Sequence, residues 1–218
     1  MEAPPFNKGS IGISNRANPA GVTATDAGAR SSRAPRADAR RNRERLLEAA
    51  KAVFAEAGPD VGLEAIARRA GVGIGTLYRN FPTRDAVVEA VYRREVEHMA
   101  ATATRLLEDM SPGDALHEWM RRALGYVATK KGMASALGSI VNAGSDLYAY
   151  STELLTQAVS LLVQRAIASG DIRSDVEPAD LLRALAGFFY GTDQPGWEAS
   201  TLRLIDIVMD GLRSRPAG

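Results

Sequence analysis

The chain has 218 residues, 45% hydrophobic and 24% charged, with a net charge of +1; that balance excludes a fibrous or wholly disordered chain and fits one large or two small globular domains. There is no cysteine and there are only two histidines, His98 and His117, so disulfides and thiolate chemistry are excluded and no metal or cofactor is expected. The opening MEAPPFNKGSIGISNR lacks the apolar core of a signal peptide, and no apolar run nears the ~18 residues of a membrane span; a cytoplasmic protein without a membrane partner is expected.

The charge is unevenly spread. Arg30 to Arg94 holds 14 Lys/Arg against 8 Asp/Glu, whereas Glu95 to Gly218 holds 11 against 16. A basic front half joined to an acidic back half suggests that only the front meets a polyanion.

Residues 1–37 contain twelve Gly, Pro or Ser and no helical period, which predicts a disordered tail with a basic end, RSSRAPR. From Asp38 the pattern changes. Leu46, Leu47, Ala50, Val53, Phe54 and Ala57 form one stripe of a helix that GPD at 58–60 stops. Leu63, Ile66, Ala67 and Ala70 line a short second helix ended by Gly71. A third helix is expected over Ile74–Asn80, closed by Phe81-Pro82, because a residue before proline avoids helical geometry. Thr83 is a suitable N-cap for a long helix from Arg84 to about Leu107.

SPGD at 111–114 caps a helix running to about Lys130. KKG and NAGSD punctuate the next stretch. A helix from about Ser145 to Ser169 follows, then the loop SGDIRSDVEP, and helices over about Ala179–Tyr190 and Trp197–Arg213. Strand-like alternation is absent. The expectation is an all-α protein of about nine helices. Residues 38–83 would be a three-helix domain, and 84–218 a second helical domain.

The stretch GVGIGTLYRNF, Gly71–Phe81, admits two readings. A phosphate-cradling loop needs a strand before it and usually a long helix after it. Here an arginine-bearing helix precedes and barely two helical turns follow, with no Gly-Lys-Ser/Thr. A helix-turn-helix uses the same residues better. Gly71 can end the second helix in the left-handed conformation, Gly73 can enter the turn, and Gly75 lets a backbone come close, that of the first helix or of DNA.

On a helical wheel Ile74, Leu77 and Phe81 fall together with Tyr78 beside them, and these would seat in a small core. Gly75, Thr76, Arg79 and Asn80 fall opposite, on a face that suits a major groove about 12 Å wide. Arg79 can grip guanine O6 and N7, Asn80 can pair with adenine N6 and N7, and Thr76 can meet a base edge or a thymine methyl. Tyr78 and Arg84 are placed for phosphates. The arginines before the first helix, Arg30, Arg33, Arg36, Arg40, Arg41 and Arg43, form a basic arm that enters an adjacent minor groove or only adds sequence-independent affinity.

The segment Arg43–Tyr92, above all AGVGIGTLYRNFPTRDAVV, resembles the DNA-binding domain of TetR-family transcriptional regulators. The resemblance implies a dimeric regulatory domain of six helices behind the reader. It also implies DNA contacts at Ile74, Gly75, Thr76, Tyr78, Arg79, Asn80 and Arg84, and around Gly62–Leu63 at the start of the second helix. Two positions depart from the family: Val61-Gly62 stands where Thr or Ser is usual, and Gly73 where Ser is usual. Both lost hydroxyls would be caps or phosphate contacts.

In the back half, Leu181, Leu185 and Phe189 mark the eighth helix and Leu202, Ile205 and Met209 the ninth. The resemblance implies that these two helices pair with their copies in a homodimer, which would read a palindromic operator. An effector pocket is expected among the fifth to eighth helices, with Trp119, Met120, Met133, Ile140, Tyr148, Leu154 and Phe188 as candidate walls for a mostly apolar small molecule. No catalytic residue is proposed: there is no Ser/His/Asp order, no Cys nucleophile and no paired carboxylate. The reading is a ligand-responsive DNA-binding regulator, most simply a repressor that leaves its operator when a small molecule binds.

Overall fold

The computed structural model describes residues 27–58, 60–188 and 195–213. Among them are nine helices: α1 (Ala27–Ala57), α2 (Leu63–Ala70), α3 (Ile74–Asn80), α4 (Arg84–Asp109), α5 (Pro112–Gly132), α6 (Ala134–Asn142), α7 (Leu147–Ala168), α8 (Pro178–Phe188) and α9 (Trp197–Leu212). The one β-bridge among the described residues joins Ile172 to Arg213. No described helix is long and apolar enough to cross a membrane.

The chain divides into two compact units, Met1–Ala39 and Arg40–Gly218. In the first, helix begins at Ala27, where the composition predicts a disordered tail to residue 37. Ala27, Ala29, Arg30, Arg33, Ala34 and Arg36 are strong helix formers and carry the helix across Ser31 and Ser32, although Pro35 supplies no N–H.

The second unit has two apolar clusters. The first gathers Leu46, Ala50, Val53 and Phe54 of α1, Leu63, Ile66 and Ala67 of α2, Leu77 and Phe81 of and after α3, and Val87, Val88, Val91 and Tyr92 of α4. Met133, Leu137, Ile140 and Leu147, from α6 and its flanks, belong to the same cluster. The second cluster packs α4, α5, α7, α8 and α9 around Trp119, Met120, Leu162, Val163 and Ile205. Trp119 is satisfied there, its indole N–H donating to the Met99 carbonyl at 2.9 Å.

Local chemistry fixes the helix ends. Gly71 sits at φ +63°. Its N–H donates to Arg68 O at 3.1 Å and the Val72 N–H to Ala67 O at 3.0 Å, the paired closure of a helix that turns through a left-handed residue. Phe81 is extended ahead of Pro82, and the Thr83 hydroxyl accepts from the Ala86 N–H at 3.1 Å. Ser111 caps α5, with Pro112 in its first turn. Between α5 and α9, Asp206 accepts from His117 Nε2 at 2.8 Å and Arg121 Nη1 at 2.9 Å; these partners hold its carboxyl below the usual range.

Leu77 is fully buried, the inward anchor of a helix of seven residues. Leu77→Ala is expected to lower unfolding free energy by about 2–5 kcal/mol, read from urea denaturation followed by circular dichroism.

Candidate DNA-reading face and internal cavity

On α3 the sequence separates two faces, with one correction. Leu77 and Phe81 point inward, at 0% and 2% exposure. Ile74 and Tyr78 do not join them, at 38% and 46%. One short helix over α1 and α2 has room for a narrow stripe only, and Leu77 and Phe81 fill it. Ile74 and Tyr78 therefore lie on the open side with Gly75 and Arg79, while Thr76 and Asn80 are half-buried at its edge.

The polar side chains of this face fold back on their own helix. Arg79 Nε donates to the Gly75 carbonyl at 3.1 Å, and its Nη2 to the Thr76 hydroxyl at 3.1 Å. Asn80 Nδ2 donates to the Thr76 carbonyl at 2.8 Å. Reaching a base edge exchanges these exposed bonds for others, a small cost because water competes for them already. A Cβ on Gly75 would meet nothing within 4 Å, so this glycine is not there for α1; the open space lies on the reading side.

Gly73 needs no special backbone: its φ is −69°, and a Cβ added there would meet nothing within 4 Å. The sharp turn belongs to Gly71 alone. Gly62 and Gly73 precede α2 and α3 without any side-chain cap; relative to Ser or Thr this costs about a few tenths of a kcal/mol per helix. Leu63 is 7% exposed and its side chain lies in the core. As a contact position it retains only its backbone N–H, because α2 needs that side chain to pack.

Helix α1 braces the reader. Arg45 Nη2 donates to the Ala70 carbonyl at 2.5 Å and to the Gly71 carbonyl at 3.3 Å, holding the end of α2. The Arg43 guanidinium stacks 4.4 Å above the Phe81 ring, beside a contact position and not in a loose arm. Arg30, Arg33 and Arg36 fall in the first unit, where only the helical backbone is described.

Behind the reader a cavity of about 820 Å³ opens between α4, α5, α7 and α8. Its walls include Tyr92, Tyr126, Val127, Lys130, Lys131, Ala134, Tyr148, Ser151, Thr152, Leu155, Thr156, Leu182, Arg183 and Leu185. The Tyr92 and Tyr126 hydroxyls share a hydrogen bond at 2.7 Å. Burial and the neighbouring Tyr92 push the Tyr126 phenol far above its ordinary range, so it stays protonated.

Of the candidate walls, Tyr148 alone lines this cavity. Trp119 and Met120 are buried in the second cluster and Met133 and Ile140 in the first, because the largest apolar side chains close the cores around the cavity. Leu154 and Phe188 pack, half-buried, on the same clusters. The walls missing from those candidates carry a signal of their own. Tyr148, Ser151, Thr152 and Leu155 recur at i, i+3, i+4 and i+7 on α7, and Tyr126 and Lys130 at i and i+4 on α5; such stripes mix hydroxyls and a cation with apolar groups.

Four of the candidate dimer residues need a similar correction. Leu181, Leu185, Ile205 and Met209 are buried inside one chain, and Leu202 is half-buried. The four buried residues are the inward stripe that holds α8 and α9 to the second cluster. Phe189 lies outside the described residues.

A short reading helix, held by a turn on α1 and joined by α4 to a cavity-bearing helical half, defines a DNA-binding transcriptional regulator of the helix-turn-helix class. Residues 46–91 match the model for bacterial regulatory proteins of the tetR family, and residues 111–214 match the SbtR-like transcriptional regulator C-terminal domain. The chain belongs to the TetR family, whose work is transcription regulation and not catalysis. It is similar to the TetR transcriptional regulator SCO0520 from Streptomyces coelicolor, with 47% identity, TM-score 0.72, and coverage of 78% of this chain and 98% of that one. A TetR transcription regulatory protein from Mycobacterium vanbaalenii is 35% identical with TM-score 0.67, over 82% and 99% of the two chains. The HTH-type transcriptional regulator SAR2658 of Staphylococcus aureus (strain MRSA252) is 27% identical over 153 residues, 69% of this chain and 81% of that protein.

Arg79→Ala is expected to cost about 1–3 kcal/mol on the bound DNA sequence and to relax the preference at one base pair. Arg84→Ala should weaken binding to all sequences alike. Fluorescence anisotropy on a set of single-base variants checks both; unchanged affinity in Arg79→Ala removes the base-reading role.

Proposed function

We propose that this regulator is a cytoplasmic, homodimeric repressor that leaves a palindromic operator when a small molecule fills the α4–α8 cavity. One observation carries the reading: the cavity wall and the reader share structural members. Tyr92 lines the cavity and is buried in the same apolar cluster as Leu77 of the reading helix. At the far end of α5, Lys130, Lys131 and Ala134 line the cavity, and Met133 between them is part of that cluster. In this reading residues 38–83 read DNA, and 84–218 bind the effector and the second copy.

DNA contact falls to Gly75, Thr76, Tyr78, Arg79, Asn80 and Arg84, with Ile74 as an apolar contact for a thymine methyl and the Gly62–Leu63 backbone on a phosphate. A two-fold dimer is the economical way for so short a reader to cover enough base pairs. The exposed stripe Ser200, Leu204, Ile207 and Gly211 on α9 supports a second copy there. Leu204 and Ile207 are 38% and 65% exposed, and the small residues beside them let two helices approach closely.

Two outcomes are expected. Mapping of bound genomic sites should return inverted repeats, deletion of the gene should raise transcription from the promoters that carry them, and a cavity-filling compound should lower operator affinity about tenfold or more; a fall in transcription on deletion would make the protein an activator. Ile207→Glu should convert the dimer to monomer in analytical ultracentrifugation and weaken operator binding by about two orders of magnitude, because the second half-site then binds independently.

A further inference from the structure

The cavity's own chemistry narrows its occupant. Three of its described wall residues are cations, Lys130, Lys131 and Arg183, and none of the described ones is Asp or Glu. This is the reverse of the surrounding sequence, since residues 95–218 hold 16 acidic against 11 basic groups. Arg183 is already held by Asp180 at 2.6 Å, on an exposed face. Lys130 is different. It is half-buried on the wall, its ammonium lies 5.1 Å above the Tyr148 ring, and no carboxylate of the described residues pairs with it. A ring face offsets only part of what an ammonium loses on leaving water.

The deep end of the cavity points the same way. In the Tyr92–Tyr126 pair one hydroxyl donates to the other, which leaves the acceptor's own proton to be given away. Both tyrosines line the cavity, so the pair has one donor to offer an occupant. The remaining wall is largely apolar, with Val127, Leu155, Leu182 and Leu185.

We infer that the effector is a hydrophobic organic anion, with an apolar or aromatic body among Tyr126, Tyr148, Leu155 and Leu182 and one carboxylate-type head held by Lys130. The inference rests on the effector reading above and adds the sign and place of the ligand's charge. A cationic amphiphile would set its charge against Lys130, with no carboxylate among the described wall residues to receive it. A neutral ligand would leave the ammonium uncompensated.

Two fluorescent probes with one body separate these cases. 8-Anilino-1-naphthalenesulfonate carries an anionic head and N-phenyl-1-naphthylamine does not. The full chain should bind the sulfonate about tenfold tighter or more, the size of one charge-assisted hydrogen bond. Lys130→Gln should bring the two affinities within about twofold by weakening the sulfonate alone, with circular dichroism unchanged. Thr152→Trp, an exposed wall position, should abolish both. Equal affinities in the native chain, a sulfonate advantage that survives Lys130→Gln, or binding that survives Thr152→Trp overturns the inference. Operator binding measured on the same samples separates it from the effector reading. Lys130-dependent anion binding without loss of operator affinity keeps the anion site and removes the effector role. Operator release by the cationic rhodamine 6G, blocked by Thr152→Trp, keeps the effector role and removes the anion.

Discussion

The reader has no core of its own. Leu77 and Phe81 of the reading segment pack with α1 and α4, and the same cluster takes in Met133, Leu137, Ile140 and Leu147 from the other end of the fold. Gly132 makes the approach tight: a Cβ there would stand 3.1 Å from the Phe54 backbone oxygen. Close-packed interiors do not deform smoothly, since a void or an overlap of one methyl group is already felt. A displacement of the α5–α6 junction must therefore be met by α1 or relieved by a second packing arrangement. The effector coupling proposed above would run through that constraint, since Lys131 and Ala134, on either side of Met133 in sequence, line the cavity.

Helix α4 supplies the second tie. It is capped at Thr83, next to Arg84, and its 26 residues run about 39 Å. Its inward stripe passes from Val87, Val88 and Val91 in the reader cluster through Tyr92 at the cavity to Met99, Ala103 and Leu106 in the second cluster. Ion pairs reinforce it near the reader, with Lys51 to Glu95 at 2.6 Å and Arg94 to Glu44 and Glu48. A ligand that changes the seat of Tyr92 would act on the same rod that carries these α1 contacts. Coupling of about 1–3 kcal/mol is enough for a useful switch; exposed ion pairs are worth about 0.2–1 kcal/mol each, so several contacts must shift together.

The helices were legible in the sequence because punctuation and period agree. Gly71, Phe81-Pro82, Thr83 and Ser111-Pro112 each end or begin a helix by a local rule, and those boundaries need no tertiary information. The stripe on α3 was half legible. A wheel assigns Ile74 to the apolar side, but only the width of the groove between α1 and α2 decides that it stays outside. The cavity was the least legible part. Large apolar residues such as Trp119 and Met133 mark where matter is densest, whereas this cavity's wall mixes core edges such as Tyr92 and Leu185 with Ala, Ser, Thr, Tyr and Lys side chains that no apolar stripe picks out. The same inversion affects α8 and α9. Their most regular apolar positions, Leu181, Leu185, Ile205 and Met209, serve the chain itself, and the surface offered outward is the sparser set around Leu204 and Ile207.

The short bonds inside α3 bear on how the reader distinguishes DNA sequences. Arg79 is held by the Gly75 carbonyl and the Thr76 hydroxyl, and Asn80 by the Thr76 carbonyl. These bonds lay both side chains along the helix surface, weakly because water competes for them. In the contact proposed for Arg79, a guanine that offers two acceptors would replace both bonds at once, whereas a base that offers one would leave a guanidinium donor stranded against the groove floor. Discrimination then comes less from attraction to the right base than from the unsatisfied donor at the wrong one. The backbone of α3 must be rigid for this to work, and rigidity is what Leu77, Phe81 and the Arg45 lock on Ala70 and Gly71 provide.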